Sequence, residues 1–177
     1  VVIGANIVFG KKVSIESGVT INSFCSIENS IIKQGASIGP FSRLRNGAEI
    51  GQDSKIGNFV EIKNSSLEEG VKVSHLSYIG DAEIGENSNI GAGTITCNYD
   101  GVDKHKTTIG KRAFIGSNSS LIAPLSIGDD ANIAAGSSIS KDVESGSLAI
   151  TRAPIKFISN WSKKLRKSSS EEEKCAE

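Results

Sequence analysis

The chain has 177 residues, 20 acidic and 20 basic side chains, no net charge, and 37% hydrophobic but only 5% aromatic residues. A neutral chain lacks the electrostatic basis for general binding to nucleic acid or anionic membranes, and no apolar run approaches the roughly 18 residues of a membrane span. Three cysteines without paired spacing predict neither a disulfide framework nor a CxxC metal site. No signal peptide is recognised, so we expect a cytoplasmic protein.

From the first residues onward, an aliphatic side chain recurs every six positions. The series starts at Ile3, shortens to a five-residue step three times, pauses after Ile90, and runs from Ile109 to Ile139, which makes 22 hexads. Helices and ordinary strands have periods of 3.6 and 2.0, whereas a solenoid of very short strands has a longer repeat. Because the chain lacks methionine and begins inside the repeat, we expect it to be a fragment without its N-terminal part.

Three hexads complete one triangular coil, so the repeat predicts about seven coils of an all-β fold, the left-handed parallel β-helix. The aliphatic residue points into the prism, a small fifth residue fills the space beside it, and glycine at the second position suits the corner. This handedness departs from the right-handed connections of ordinary parallel sheets. Flat prism sides with few large side chains predict a homotrimer formed by side-by-side packing.

The hexads assign residues 1–143 to the β-helix and residues 144–177 to a C-terminal arm. Within the helix, residues 96–108 (TCNYDGVDKHKTT) cannot be read in hexads and contain a turn signal, which predicts a projecting loop. In the arm, residues 145–154 look irregular, and apolar spacing over residues 156–167 is compatible with a short helix. The final SSSEEEKCAE reads as a disordered tail.

The polar residues of the middle third are the candidates for chemistry. Arg45 and Lys63 are 18 residues apart, one full coil, and should stack at the same corner. His75 follows Lys63 by 12 residues, across a five-residue step, so the cationic side chains and an imidazole could share one ledge. Such a ledge suits an anionic substrate, because arginine gives paired N–H bonds to phosphate and lysine a point charge.

Each candidate also has a plain structural interpretation. His75 could be a solvated side chain, Arg45 over Lys63 a solvated cationic strip, and Glu61 a neutralising partner of Lys63. Tyr78 and Asn89 could be turn residues.

Two other classes of hexapeptide-repeat protein are disfavoured by counting. A zinc site needs about three histidines, and the chain has only His75 and His105, the latter expected to be exposed on the loop, so we expect no metal. Ice binding would need an array of Thr-x-Thr triplets, and residues 94–96 are the only one.

The motifs GPFSRLRNGAEIG, IGNFVEIKNS, VSHLSYIGDAEIG, NIGAGTITCNYDG, DKHKTTIG, FIGSNSSLIAPLSIG, IAAGSSI and ITRAP carry a family resemblance. At these residues, from Val1 to Arg152, the chain resembles the acetyltransferase domain of the bifunctional bacterial enzyme N-acetylglucosamine-1-phosphate uridyltransferase / glucosamine-1-phosphate N-acetyltransferase. The consecutive motifs HLSYIGDAEIG and NIGAGTITCNYDG are the specific part. The uridyltransferase domain is not in this sequence, so uridyl transfer is not expected of it.

The resemblance implies acetyl transfer from acetyl-CoA to the amine of glucosamine 1-phosphate, a step towards UDP-N-acetylglucosamine and cell-wall precursors. It implies His75 as general base, with Glu61 beside the reacting amine. The implied sugar-phosphate contacts are Arg45, Lys63, Tyr78, Asn89 and Lys104. The implied acetyl-CoA contacts are Ala92, Asn98, Tyr99, Ser117, Ala135 and Arg152. The family is a homotrimer with a site at each subunit junction. Asn46 stands where many members carry proline.

Two alternatives remain open from the residues themselves. The chain could be a hexapeptide acyltransferase acting on another acceptor, such as serine or a lipid precursor. It could also be a non-catalytic β-helix that serves as a trimerisation scaffold, which would bind no CoA and would leave the stacked cations unexplained.

Overall fold

In a computed structural model that describes residues 1–162, the chain forms 24 short parallel β-strands wound into one column. The first eight strands are β1 (Val2–Ile3), β2 (Val8–Phe9), β3 (Val13–Ile15), β4 (Thr20–Ile21), β5 (Ser26–Ile27), β6 (Ser30–Ile32), β7 (Ser37–Ile38) and β8 (Arg43–Arg45). The next eight are β9 (Ala48–Ile50), β10 (Lys55–Asn58), β11 (Glu61–Lys63), β12 (Ser66–Leu67), β13 (Lys72–His75), β14 (Tyr78–Gly80), β15 (Ala82–Ile84) and β16 (Asn89–Ile90). The last eight are β17 (Ile95–Cys97), β18 (Thr107–Ile109), β19 (Phe114–Ile115), β20 (Ser120–Ile122), β21 (Leu125–Ile127), β22 (Asn132–Ile133), β23 (Ser138–Ile139) and β24 (Leu148–Ala149).

From β1 to β23, every third strand belongs to the same sheet, which gives the three faces of a prism, and β24 follows β22 in the first sheet. Sheet A has nine strands in the order β1-β4-β7-β10-β13-β16-β19-β22-β24. Sheet B has eight, β2-β5-β8-β11-β14-β17-β20-β23, and sheet C has seven, β3-β6-β9-β12-β15-β18-β21. Parallel pairing between the strands of successive coils is the topology of a parallel β-helix, so the predicted all-β fold is confirmed.

The core is a stack of aliphatic side chains inside the prism, as the hexads predict. Ile21, Ile38, Ile56 and their counterparts in the other sheets are almost completely buried. The small fifth residue is often serine, whose hydroxyl satisfies a backbone carbonyl inside the column; Ser42 Oγ, for example, donates to the Gly57 carbonyl at 2.6 Å. The narrow interior therefore accepts polar groups only where they are small and hydrogen-bonded.

Glycine at the second hexad position is required by close stacking of the coils. Gly91 has no positive φ, but a Cβ on it would lie 2.5 Å from the backbone nitrogen of Ser117 in the next coil. Left-handed backbone occurs instead at other corner positions, where asparagine and aspartate are common and Phe24, Phe41, Phe59 and Leu76 also occur. The predicted glycine position is correct, and its reason is steric.

The column has about eight coils, one more than the predicted seven. Thr96 is fully buried in β17, six residues after Ile90, and it fills an aliphatic position with its hydroxyl bonded to the Gly80 backbone. Val143 then bridges to sheet C and Ala149 pairs with sheet A. These three positions break the aliphatic pattern or its spacing, which is why counting hexads missed them.

Two predicted boundaries differ from the structure. Strands β17 and β18 absorb residues 96–97 and 107–108, so the loop spans residues 98–106. Strand β24 continues the column to Ala149, beyond the predicted end at residue 143. At both boundaries, the backbone continues as a strand because it pairs with the preceding coil, even though the local sequence does not follow the hexad pattern.

The described part of the arm leaves the column with its apolar side chains exposed. Residues 151–158 have no regular structure, residues 159–160 form a turn, and only Trp161 and Ser162 are helical, so the helix suggested for residues 156–167 does not begin where expected. Its remainder and the suggested tail lie outside the described residues. Among residues 1–162, no helix is long and apolar enough to cross a membrane.

Candidate functional site

The predicted stacking of two cations is confirmed at one edge of sheet B. Arg45, Lys63 and Gly80 are register partners in consecutive coils. This edge, where each coil turns from sheet B into sheet C, is here called the B–C corner. The loop 98–106 leaves the column from the same corner, between β17 and β18.

Each cation at the B–C corner faces its own carboxylate. Arg45 Nε donates to Glu61 Oε1 at 2.6 Å, and Lys63 Nζ lies 3.1 Å from Asp81 Oδ2. Both pairs are largely shielded from solvent, with 24% and 29% of the first pair's side chains exposed and 10% and 13% of the second. The alternative interpretation of Glu61 as a neutralising partner of Lys63 is therefore wrong: Glu61 pairs with Arg45, and Lys63 pairs with Asp81.

Three donors converge on the Asp81 carboxylate. Asn64 Nδ2 donates to Oδ1 at 2.5 Å, and both Lys63 Nζ and Asn98 Nδ2 donate to Oδ2. Burial by itself would raise the pKa of Asp81, but these hydrogen bonds outweigh it and hold that pKa below its usual value. Burial would likewise lower the pKa of Lys63, yet the bond to Asp81 leaves it raised. The pair is therefore charged on both sides at neutral pH.

The loop above this corner is an ordered hairpin. Tyr99 and Lys104 form an antiparallel bridge, and the Asp100 carboxylate accepts the backbone N–H groups of Val102 and Asp103, each at 2.8 Å. Asp100 also lies 2.6 Å from His105 Nε2, and these contacts hold its pKa well below the usual range. His105, expected to be exposed, is half-buried.

A cleft of about 420 Å³ lies between the loop and the column. It is lined by Gly47, Glu49, Asn64, Ser65, Ser66, Asp81, Ala82, Glu83, Lys104, His105 and Lys106. Lys104 is thereby placed at the same corner as the two stacked cations, although it is 41 residues beyond Lys63 in the chain.

His75 lies at the opposite edge of sheet B, at the end of β13, where each coil turns from sheet A into sheet B. This edge is called the A–B corner. His75 is exposed, and its Nδ1 lies 2.6 Å from Oδ1 of Asn58, its register partner in the preceding coil. A carboxamide oxygen only accepts hydrogen bonds, so Nδ1 carries the proton. In the neutral ring, Nε2 is then the proton acceptor.

The predicted shared ledge is wrong within one chain. Register places His75 beside Asn58 in sheet A, whereas Arg45 and Lys63 lie in line with Gly80 at the far end of sheet B. The strand β14 (Tyr78–Gly80) lies between the two edges. The error arose because counting residues across a five-residue step does not show how many corners separate two positions.

Above His75, three of the predicted acetyl-CoA contacts continue the A–B corner. The backbone carbonyls of His75, Ala92 and Ser117 each accept an N–H from the next coil, at 3.2, 2.8 and 2.8 Å. Ala135 occupies the same corner position in the coil after Ser117. Within residues 1–162, the N–H of Ala92 has no protein acceptor. Arg152 leaves the column one step further on, with its Cδ 3.8 Å from where a Cβ on Gly136 would lie.

Tyr78 and Asn89 lie on different faces. Tyr78 is on the outer face of sheet B beside Glu61, and a Cβ on Gly80 would collide with its ring, so the ring lies over Gly80 towards the B–C corner. Asn89 is the register partner of Lys72 on the outer face of sheet A.

The other two predicted acetyl-CoA contacts lie away from the A–B corner. Asn98 is buried against Asp81 at the B–C corner, and Tyr99 is exposed on the loop with its hydroxyl donating to the Gly101 carbonyl at 2.6 Å. Within one chain, most candidate residues therefore divide between the two edges of sheet B, with Tyr78 on the face between them and Asn89 on sheet A.

Sequence reasoning missed two residues that hold the candidate groups in place. Asn58 orients His75, and Asp81 orients Lys63. The signal was present in the coil spacing, because Asn58 precedes His75 by 17 residues and Asp81 follows Lys63 by 18. Within residues 1–162, no group of three or more histidine, cysteine, aspartate or glutamate side chains is placed to hold a metal ion.

Family models match two consecutive parts of the chain. Residues 26–102 match the GMPPB C-terminal domain, and residues 106–141 match the hexapeptide repeat of succinyl-transferase. Among solved structures, PerB from Caulobacter crescentus, crystallised with CoA and GDP-perosamine, matches with a TM-score of 0.52 and 23% identity over 72% of this chain and 57% of that one. LpxA from Acinetobacter baumannii matches with a TM-score of 0.50 and 20% identity over 94% of this chain and 77% of that one. At such identities the structures show a shared fold. The chain is therefore a hexapeptide-repeat protein with a left-handed parallel β-helix.

Curated sequence relatives narrow this class to one family. The bifunctional protein GlmU of Zymomonas mobilis is 55% identical over 94% of the chain, and that of Thermodesulfovibrio yellowstonii is 57% identical over 89%. The chain spans only 37% and 35% of the lengths of these relatives. It belongs to the same family as the matching segment of the bifunctional GlmU proteins, which confirms the resemblance of its motifs.

Proposed function

We propose that this chain transfers an acetyl group from acetyl-CoA to the amine of glucosamine 1-phosphate, giving N-acetylglucosamine 1-phosphate for UDP-N-acetylglucosamine synthesis. The observation that carries the proposal is the contact between His75 Nδ1 and Asn58 Oδ1, because it leaves Nε2 as the proton acceptor of an exposed imidazole one coil below Ala92. The family of the bifunctional GlmU proteins supports the choice of reaction.

In this reaction, His75 Nε2 removes a proton from the acceptor amine as its nitrogen attacks the thioester carbonyl. The new N–C bond forms, the C–S bond breaks, and the departing sulfur takes a proton to leave as the thiol of CoA. The Ala92 N–H, which lacks a protein acceptor within residues 1–162, is suited to stabilise the oxyanion of the tetrahedral intermediate. Glu61, held by Arg45, would lie beside the amine.

The B–C corner supplies the groups that would hold the phosphate. Arg45 offers N–H groups beyond the Nε that Glu61 occupies, and Lys63 offers an oriented ammonium. Lys104 adds a cation from the loop, and Tyr78 lies between the two edges. The co-substrate would lie along the A–B corner, where an extended surface is formed by Ala92, Ser117, Ala135 and Arg152. Asn98 and Tyr99 would contact the same co-substrate only from the loop of another chain.

We infer a homotrimer with each site at a subunit junction. The separation of the candidate residues between two edges and two faces supports it, because one small acceptor cannot touch all of them on a single chain. An exposed apolar row at the A–B corner supports it as well: the rings of Phe24, Phe41 and Phe59 stack with centroids 5.0 and 5.2 Å apart, and Leu76 follows. Light scattering should give the mass of three chains, and a stable monomer at micromolar concentration would contradict this assembly.

An acceptor screen tests the activity. The chain, acetyl-CoA and a thiol-detecting reagent are combined with glucosamine 1-phosphate, serine, maltose or a lipid precursor. We expect release of CoA thiol with glucosamine 1-phosphate alone. Turnover of a different acceptor would change the substrate, and calorimetry showing no binding of acetyl-CoA would favour the scaffold alternative.

A further inference from the structure

Asp81 contacts Lys63 and both ends of the projecting loop at the B–C corner, although it is not among the site residues expected from the sequence. Its carboxylate accepts from Lys63, Asn64 and Asn98, and only 13% of its side chain is exposed. Its backbone N–H donates to the carbonyl of Lys63 at 3.0 Å, and its own carbonyl accepts the N–H of Thr107 at 3.2 Å.

These bonds tie down both ends of the projecting loop. Asn98 is the first loop residue, and its side-chain amide reaches the Asp81 carboxylate. Thr107 is the first residue after the loop, and its backbone N–H reaches the Asp81 carbonyl. One residue thus closes the base of a nine-residue excursion that carries Tyr99 and Lys104.

The same carboxylate fixes the ammonium of Lys63. Lysine has a long flexible side chain that loses rotamer entropy when it is held in one position. The bond to Asp81 Oδ2, in a site where 10% of the Lys63 side chain is exposed, selects one orientation before any ligand arrives. A preorganised cation binds an anion more tightly than a mobile one.

The local chemistry requires an aspartate. Three donors meet at this side chain, and only an ionised carboxylate can accept all of them, because an asparagine would turn an NH₂ group towards at least one donor. The backbone at Asp81 has a φ of +51°, which aspartate and asparagine tolerate better than most residues.

We propose that Asp81 is a positioning residue for acceptor binding: it presents the Lys63 ammonium to the acceptor phosphate and clamps the base of loop 98–106. The identity of the acceptor rests on the proposed function, whereas the clamp on the loop does not. An alternative role for Asp81 predicts the opposite change in acceptor affinity. If Asp81 only neutralised Lys63, removing its charge would leave a more positive site and would tighten the binding of an anionic acceptor.

The test compares Asp81→Asn with Asp53→Asn. Asp53 makes a matched control because its φ is also left-handed, at +54°, and it lies at a different corner of the column. Steady-state kinetics with glucosamine 1-phosphate and acetyl-CoA should show an acceptor KM raised about tenfold or more in Asp81→Asn, with kcat and the acetyl-CoA KM changed less than about threefold. Asp53→Asn should match the wild type.

Limited proteolysis gives a second readout that needs no activity. Trypsin cleavage after Lys104 and Lys106, followed by mass spectrometry on the whole chain, should be about fivefold faster or more in Asp81→Asn than in Asp53→Asn, since the loop opens more often when one clamp is lost. Circular dichroism should show both variants folded at 25 °C. An unchanged or lower acceptor KM would overturn the role in binding, and wild-type cleavage rates would overturn the clamp. If the wild type does not acetylate glucosamine 1-phosphate, the proposed function fails, and the cleavage comparison still decides the clamp.

Discussion

The two edges of sheet B are built from the same repeat but by different means. At the A–B corner, the contacts that line up His75, Ala92, Ser117 and Ala135 are mostly backbone hydrogen bonds between coils. At the B–C corner, the geometry depends on side chains, with two ion pairs and a carboxylate that receives three donors. We propose that the A–B corner carries the chemistry and that the B–C corner binds the acceptor.

The largest expected effect is at the A–B corner. Replacing His75 with alanine should lower kcat about 10² to 10⁴-fold, because general-base assistance is lost, while the acceptor KM changes little. Steady-state kinetics on protein shown by light scattering to keep its assembly would measure this. Near-normal turnover would remove His75 as the base and, with it, the proposed role of this corner.

The B–C corner should show the opposite kinetic pattern. Lys63→Ala should raise the acceptor KM about 10- to 100-fold with a smaller change in kcat, because a phosphate contact is lost and the buried Asp81 carboxylate is left without its cation. Arg45→Ala should act in the same direction and leave the acetyl-CoA KM unchanged. An unaltered acceptor KM in both variants would contradict the assignment of this corner to phosphate.

A smaller loss of kcat is expected when Asn58 is replaced than when His75 is replaced. Asn58→Ala should lower kcat about tenfold, because the imidazole loses the acceptor that sets its tautomer and orientation, and water can partly replace it at this exposed position. Asn58→Asp is the matched control, since it keeps an oxygen acceptor. Equal kcat values for Asn58→Ala and the wild type would show that the contact does not orient the base.

The smallest effect concerns stability. The pKa of Asp81 is lowered in the folded state, so the stabilisation by its carboxylate is present above the ordinary aspartate pKa of 3.8 and is lost as pH falls through the folded-state pKa. The pKa of Lys63 is raised, so its contribution is present below 10.5 and is lost as pH rises through the folded value. Between these limits, Asp81→Asn should lower Tm by about 2 to 8 °C for a loss of about 1 to 2 kcal/mol.

Thermal melts of Asp81→Asn and the wild type at several pH values would check this window. The gap in Tm between the two proteins should be widest near neutral pH and should shrink as the pH falls below 3.8. A gap that persists or widens in acid would mean that the ionised carboxylate does not stabilise the B–C corner.

Most of the fold was predictable because the hexad period is imposed by the coil itself. Aliphatic residues that fill a narrow prism must recur once per strand. The interior positions of Ile21, Ile38 and Ile56 can therefore be recognised from the repeat alone. The prediction failed where another residue served the same position. Thr96 fills an interior position because its hydroxyl bonds to the Gly80 backbone, which no hydrophobic pattern reveals.

The candidate site was predictable only in part, and the two corners show why. The stacking of Arg45 on Lys63 followed from an 18-residue spacing, since whole coils return to the same place. The partners of these cations did not follow, because long side chains at a corner can turn towards several neighbours.

The sequence by itself determined the solenoid, its interior residues and the family, because a repeat must satisfy the same packing constraint in every coil. The tertiary structure alone decided that Glu61 pairs with Arg45, that Asp81 holds Lys63 and closes the loop, and that His75 lies at the other edge of the sheet. Such pairings depend on the corner at which each residue lies after the five-residue steps of the repeat. They also depend on the side-chain rotamers that the neighbouring coils allow.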